Sequence, residues 1–382
     1  MSRHGIPIGR LFGISIDLDY SWFLIVGLLT WMLAVSYYPP EFPGWPAAEY
    51  WLVGFITSVL LFVSVLIHEL SHSVVAKGYG IGVPRITLFL FGGVAQIASE
   101  PPNPAAEFWI AIAGPVASLA LAAICWELEP LFPASGAAFA LIEYLALINL
   151  VLALFNLIPG FPLDGGRVFR AILWRASHSY HRATVAAGIS GRFFGFLLIF
   201  LGIWQALTGD IAGGIWIAFI GWFLESAAGS QLQQESLHNL LGDHRVADAM
   251  QRNFVRAPAA ASLQDLVDGY FLPSNTRAVV VDRFDGRIGL VTLASLGETP
   301  RSDWVATPAS QVMTPLEALH TTRPNAILWS ALEKMGRDGV DQLPVVDENS
   351  NLVGILSRED ILHYLNMLRG FRDWKTIAGS AH

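Results

Sequence analysis

The stretch Ser64-Val65-Leu66-Ile67-His68-Glu69-Leu70-Ser71-His72-Ser73 closes an apolar run that opens at Trp51 and meets no charged residue before Glu69. A run of this length is about what a helix needs to cross a bilayer. Histidines four residues apart share one face of a helix, so both imidazoles can grip one divalent ion. Glu69, next to the first histidine, can then act as general base on a water polarised by that ion. Ionisable side chains are costly inside a span, and where they occur they mark function. A plainer reading stays open beside this one. Lys77 and Gly78 follow closely, so the helix end could have left the membrane and the three polar residues would simply be wet.

Working outward, the 382-residue chain is 53% hydrophobic and 14% charged, where soluble domains carry about a quarter charged residues. The apolar excess lies in residues 1–230, and 231–382 have an ordinary soluble composition. Six apolar segments reach or approach spanning length: 20–37, 51–76, 105–126, 137–159, 193–207 and 211–224. Only Thr208-Gly209-Asp210 separates the last two, which read as a helical hairpin; one long helix broken near Gly209 is the alternative. Loops 38–50 and 127–136 contain no Lys or Arg. The opposite side carries Arg3, Arg10, Lys77 and Arg85, then Arg167, Arg170, Arg175, Arg182 and Arg192. The expectation is therefore a multi-pass protein of the cell (inner) membrane with both termini cytoplasmic. Residues 1–19 lack the apolar core of a cleavable signal peptide. Cys125 is the sole cysteine, which rules out an intrachain disulfide and a cysteine-built zinc site. Net charge is −8 with no basic block, so nucleic acid is not an expected partner.

A catalytic zinc wants a third protein ligand and an open position. Asp164 is the candidate, in Asn156-Leu157-Ile158-Pro159-Gly160-Phe161-Pro162-Leu163-Asp164-Gly165-Gly166. This segment follows the fourth span and so arrives on the same side as His72. Its prolines and glycines would unwind the backbone around a polar cavity. Taken alone, Asp-Gly-Gly is only a turn signal.

The His68-Glu69-Leu70-Ser71-His72 motif, with Asn156 and Pro162-Leu163-Asp164-Gly165-Gly166-Arg167, resembles the site-2 protease family of intramembrane zinc metalloproteases. Gly9-Arg10-Leu11-Phe12-Gly13-Ile14-Ser15-Ile16 is similar to that family's amphipathic lead-in. Phe91-Gly92-Gly93-Val94 resembles its glycine-containing membrane strand, and Ala113-Gly114-Pro115 recurs at its third helix. The resemblance covers about residues 5–228. It implies one catalytic Zn2+ on His68, His72 and Asp164, Glu69 as catalytic acid/base, and Asn156 as an aid to the oxyanion. It also implies regulated intramembrane proteolysis of a single-span substrate such as an anti-sigma factor.

Residues 85–96 alternate and are flanked by glycines, which reads as a strand. Its edge, with Ile86, Leu88, Gly92 and Gly93, is a candidate for pairing with an unwound substrate. His178 and His181 read as surface histidines of an Arg-rich loop. Ala111, Gly114 and Ser118 read as a helix-packing face.

From about His244 the pattern turns to short strands and helices, and it repeats. Ala249-Met250 recurs as Val312-Met313, Val280-Val281-Asp282 as Val345-Val346-Asp347, and Gly289-Leu290-Val291-Thr292 as Gly354-Ile355-Leu356-Ser357, at offsets of about 63 to 65 residues. Two such units resemble a tandem pair of CBS domains. That resemblance implies an adenine-nucleotide site (ATP, ADP or AMP) using Gly354, Ser357 and Asp360; the first copy has Ser295 where the aspartate should fall. Helix capping by Ser357 is the competing reading, and a homodimerisation role is another.

The expected organisation is a transmembrane zinc metalloprotease domain over 1–228 and a linker over 229–243. CBS domains follow at 244–300 and 301–370, with a tail over 371–382. The expected fold class is a multi-pass α-helical membrane protein, with about six spans and a short membrane-associated β segment, followed by an α/β CBS module. Two other classes compete. A transporter or channel with CBS domains would spread polar residues along several spans, whereas here they gather at two places. A catalytically silent metal-binding scaffold would not need Glu69.

Overall fold

The computed structural model describes residues 5–90, 92–274, 276–282 and 288–379; Arg3 and Phe91 fall outside them. The chain divides into two compact units, Ser2–Glu235 and Ser236–His382, each described here by itself.

Among the described residues, six helices are long and apolar enough to cross a membrane: Tyr20–Glu41, Ala47–Gly78, Pro104–Leu131, Ala137–Asn156, Tyr180–Leu207 and Ile211–Leu241, the first five and most of the sixth belonging to the first unit. Their outer faces expose large apolar side chains such as Leu24, Phe200 and Trp216, each more than 60% accessible. Water would penalise such a surface, and lipid would not. The fifth and sixth helices form the expected hairpin about the turn at Gly209. They lie so close that a Cβ on Gly195, Gly202 or Gly214 would strike the backbone of Glu225, Ala218 or Ala206 respectively. Small residues at an antiparallel interface allow this approach.

Several boundaries depart from the sequence reading. The fifth helix begins at Tyr180, so Arg182 and Arg192 are helical rather than loop cations, and Arg192 pairs with Glu225 at 2.8 Å. Counting hydropathy truncates a helix at charges that a tertiary partner neutralises. Between the fourth and fifth spans, Asp164–Ser177 forms a separate amphipathic helix, ended by His178 in a left-handed conformation (φ 54°). The sixth helix continues through 229–241, where a linker was expected.

The β segment is larger than expected. β1 (Gly5–Leu11) and β2 (Ile14–Asp19) form an antiparallel hairpin, β2 runs parallel to β3 (Arg85–Phe89), and β3 pairs antiparallel with β4 (Gly92–Gln96). Phe12 and Gly13 both take positive φ, 51° and 76°, as the two centre residues of a type I′ hairpin turn must. The presumed amphipathic lead-in is thus half of a four-stranded sheet of order β1-β2-β3-β4. This corrects the placement of Ile86 and Leu88. They lie on an interior strand, almost fully buried with Ile14, Leu70, Ala76 and Ile110, and have no free edge to offer. The exposed edge nearest them is β4, which carries Gly92 and Gly93.

The second unit explains its own repeat. β5 (Arg256–Pro258), β6 (Ala278–Asp282), β7 (Ile288–Thr292) and β8 (Thr314–Pro315) form one sheet, in that order. β9 (Gln342–Val346) and β10 (Leu352–Ser357) form a second, flanked by single bridges from Thr322 to Val345 and from Gln251 to Ile355. Each copy's last partner therefore comes from the other copy: Thr314 pairs with Leu290, and Gln251 with Ile355. The repeated Gly and Met face each other across these junctions. A Cβ on Gly289 would press on Met313 and Thr314, and one on Gly354 on Met250 and Gln251. The closing helix runs Arg358–Gly379, through most of the expected tail.

Candidate metal centre

Three elements converge on one point. The second helix presents His68 and His72 one turn apart, both about 95% buried. The first residue of the helix Asp164–Ser177 brings Asp164 to them, with Oδ2 3.0 Å from His68 Nε2 and 3.1 Å from His72 Nε2. Among the described residues these three form the one group of potential ligands whose donor atoms all lie within 4.8 Å of one another. His178 and His181 do not join it; His181 pairs with Glu235 instead.

The other ring nitrogens have partners of their own, and that of His72 decides its tautomer. His72 Nδ1 lies 2.6 Å from the Ile110 carbonyl. A carbonyl only accepts, so Nδ1 donates and the Nε2 lone pair is left facing the cluster. His68 Nδ1 meets Ser118 Oγ at 2.9 Å. Outer partners of this kind orient metal-binding imidazoles and raise their basicity.

The third helix supplies the missing room. A Cβ on Gly114 would run into the Nε2 atoms of both His68 and His72, so only glycine leaves space where the three donors meet. A carboxylate oxygen 3.0 and 3.1 Å from two imidazole nitrogens, with all three donors within 4.8 Å of one another, fits zinc, whose N and O ligands at roughly 2.0–2.1 Å leave tetrahedral edges of about 3.3 Å. The residues present therefore suit the ion.

Sequence reading missed Ile110, Gly114 and Ser118, or set them aside as packing. The available signal was their spacing: they recur on one face of a helix, next to a family-like Ala113-Gly114-Pro115. Asp164-Gly165-Gly166 also proves to be more than a turn. A Cβ on Gly165 would meet the carbonyls of Leu157 and Ile158, and one on Gly166 would meet Gly160 and Phe161. The helix thus starts pressed onto the loop that precedes it, which fixes where Asp164 points.

Glu69 is half-buried, one residue past His68, and β4 lies over it: a Cβ on Gly93 would overlap the Glu69 side chain at 2.6 Å. Asn156 ends the fourth helix and donates from Nδ2 to the Leu152 carbonyl at 3.0 Å, the backbone-satisfying arrangement of a helix end. A mainly apolar cavity of about 410 Å3 opens among the second, fourth and sixth helices. Leu61, Val65, Phe155, Leu163 and Trp216 line it, and Leu163 adjoins Asp164.

In the second unit, Ser357 and Asp360 line a cleft of about 40 Å3 with Gln251, Thr276, Arg277 and Gln342. Ser357 donates from N and Oγ to Asp360 Oδ2 at 2.8 and 2.6 Å, Asp360 N donates to Ser357 Oγ, and Gln251 Nε2 donates to Asp360 Oδ1. This is a helix-capping box. In the first copy Thr292 and Ser295 form the same arrangement, so Ser295 preserves the cap while losing the carboxylate. Arg277 and Glu359 are ion-paired at the cleft. The space is large enough for only about three waters, and Gly354 is not among its lining residues; it packs on Met250.

Comparison with known proteins gives matches to both halves. The profile of peptidase family M50 matches residues 56–129 and 131–201, and that of the CBS domain matches 309–367. The protein named zinc metalloprotease Rip3 in Mycobacterium tuberculosis is 38% identical over 371 residues, 96% of this chain and 94% of the relative. A similarly named zinc metalloprotease of Synechocystis is 34% identical over 365 residues, 95% of this chain and 96% of the relative. Among solved structures, the site-2 protease from Methanocaldococcus jannaschii aligns at 31% identity and TM-score 0.42, over 60% of this chain and 95% of that one.

Proposed function

Since this chain belongs to peptidase family M50, the site-2 protease-like zinc metalloproteases, and carries a CBS module, we propose that it hydrolyses a peptide bond in or beside a transmembrane helix of a single-span membrane protein. The observation that carries this reading is the convergence of His68, His72 and Asp164, with the His72 tautomer fixed by the Ile110 carbonyl. Zinc held there supplies a Lewis acid that polarises a carbonyl and acidifies a water. Glu69 takes up the proton and delivers it to the leaving amine. Asn156, released from the Leu152 carbonyl, turns its amide toward the developing oxyanion.

A helical substrate bonds its amides internally and must unwind to be cut. The β4 edge, lying over Glu69, suits an extended segment added as a further strand, with Gly92 and Gly93 giving close backbone approach. The apolar cavity beside Leu163 suits the flanking part of the substrate that remains in the membrane. An anti-sigma factor or another membrane-tethered regulator is a substrate of this type. The reading places both termini and the CBS module on the cytoplasmic side, from the cations at the ends of and between the spans: Arg10, Lys77, Arg85, Arg167, Arg170 and Arg175. Reporter fusions at each end would test this, and activity of an external-side reporter would reject it.

The central experiment compares the purified wild type with Glu69→Gln, measuring bound zinc and cleavage of a transmembrane substrate. Zinc should be retained in both and cleavage lost only in the variant, by roughly 10²- to 10⁴-fold as expected for removal of an acid–base catalyst. Equal cleavage would refute the mechanism.

A further inference from the structure

One face of the third helix carries more than the metal-site wall. Glu107, Ile110, Gly114 and Ser118 fall on a single buried stripe at spacings of three and four. The last three serve His72, the ligand space and His68, as described. Glu107 serves Arg170. It is fully buried, and its Oε1 accepts from both Arg170 Nε, at 2.6 Å, and Arg170 Nη2. The guanidinium is clasped between two rings, 5.0 Å from the centroid of Phe161 and 4.7 Å from that of Tyr180. Phe161 belongs to the loop leading into Asp164, and Tyr180 begins the fifth helix.

Spacing ties this pair to the metal centre. Arg170 and Asp164 lie six residues apart on one helix, a rise of about 9 Å. Glu107 and Gly114 lie seven apart on the other, about 10.5 Å. The two helices thus touch at two matched points: Arg170 on Glu107 at one end, and Asp164 beside Gly114, through the histidine nitrogens, at the other. A slip of one residue would move Asp164 by about 1.5 Å, as much as separates a bond from no bond at a metal.

The pair is poorly made for stability alone. Its second oxygen, Glu107 Oε2, is buried without a hydrogen-bond partner among the described residues. Burying both charges is costly, and an unpaired buried acceptor adds to that cost. What a planar, five-donor fork held between two rings provides is a fixed distance and angle. We propose that Glu107 and Arg170 are positioning residues, a register clamp that sets Asp164 at ligating distance from His68 and His72. This rests on the assignment of those three residues as metal ligands.

The test uses the full-length protein in detergent and reads metal binding rather than turnover. Zn2+ affinity is measured by chelator competition, and ligand geometry by the visible absorption of the Co2+-substituted protein, for wild type, Glu107→Gln, Arg170→Lys and Asp164→Asn. Glu107→Gln and Arg170→Lys should retain helical content yet bind Zn2+ roughly 10- to 100-fold more weakly, as loss of an outer partner does, with an altered Co2+ spectrum. Wild-type affinity and spectrum in both would overturn the clamp. Should both variants misfold, Tyr180→Leu removes one ring and leaves the ion pair; a smaller weakening supports the clamp, and unchanged affinity overturns it. Unchanged metal binding in Asp164→Asn would instead overturn the ligand assignment, so the two failures are distinguishable.

Discussion

At the scale of single residues, Gly114 is the position where a side chain would intrude on the candidate metal centre itself. Gly114→Ala adds one methyl group where both histidine Nε2 atoms sit. We expect Zn2+ affinity to fall at least about tenfold, and further than in Ser118→Ala, which removes only the partner of His68 Nδ1 and should cost roughly 10- to 100-fold. Chelator competition measures both; an alanine at 114 that binds zinc normally would show that the imidazoles have another place to go. The candidate ligands His68 and His72 were legible from residue type and spacing, and Asp164 from the side of the membrane on which its segment arrives. Gly114 was not, since a glycine that admits a neighbouring helix and one that admits an ion look the same in a sequence. Asn156 was legible only as a resemblance, and its hydrogen bond to Leu152 is the plainer of its two readings.

At the scale of elements, the six spans could be read from hydropathy because lipid leaves no alternative for apolar runs of that length. The elements that escaped are those whose partners lie far off in sequence. β2 finds β3 across nearly seventy residues, and the strand at residues 85–96 could not reveal which of its halves would be an edge. The helix Asp164–Ser177 lay hidden behind prolines, glycines and arginines that read as loop. β4 yields a prediction at this scale. In an antiparallel pair adjacent residues face their amides in opposite directions, so of Val94 and Ala95 one turns its N–H outward. Proline at that position should raise KM for a transmembrane substrate about fivefold, the worth of one hydrogen bond of ~1 kcal/mol, and leave bound zinc unchanged. If neither proline changes KM, strand addition at β4 is wrong.

At the scale of the whole molecule, the CBS cleft is narrow and tied shut by the Arg277–Glu359 pair and the Ser357–Asp360 cap. An adenine nucleotide would have to part the first and borrow from the second. Glu359→Gln frees Arg277 for phosphate, and calorimetry should find ATP bound several-fold more tightly than by wild type; weaker binding would mean the pair itself builds the site. Titrating nucleotide against cleavage in detergent then tests regulation, and a flat response alongside demonstrated binding would reject it.

The exchange of strands between the two repeats has a consequence for how the chain comes into being. As synthesis proceeds, the first repeat emerges with its sheet incomplete, because Thr314 and Pro315, which pair with β7, are still to be made. The second repeat meets Gln251 already waiting beside β10. Neither repeat has a finished native state of its own, so the pair should appear all at once, late, and melt in a single transition. A fragment of residues 244–300 alone should remain unfolded by circular dichroism, and a native-like spectrum would show that the exchange is dispensable. What looks in sequence like two beads on a string would then be one object that a truncated message cannot half produce.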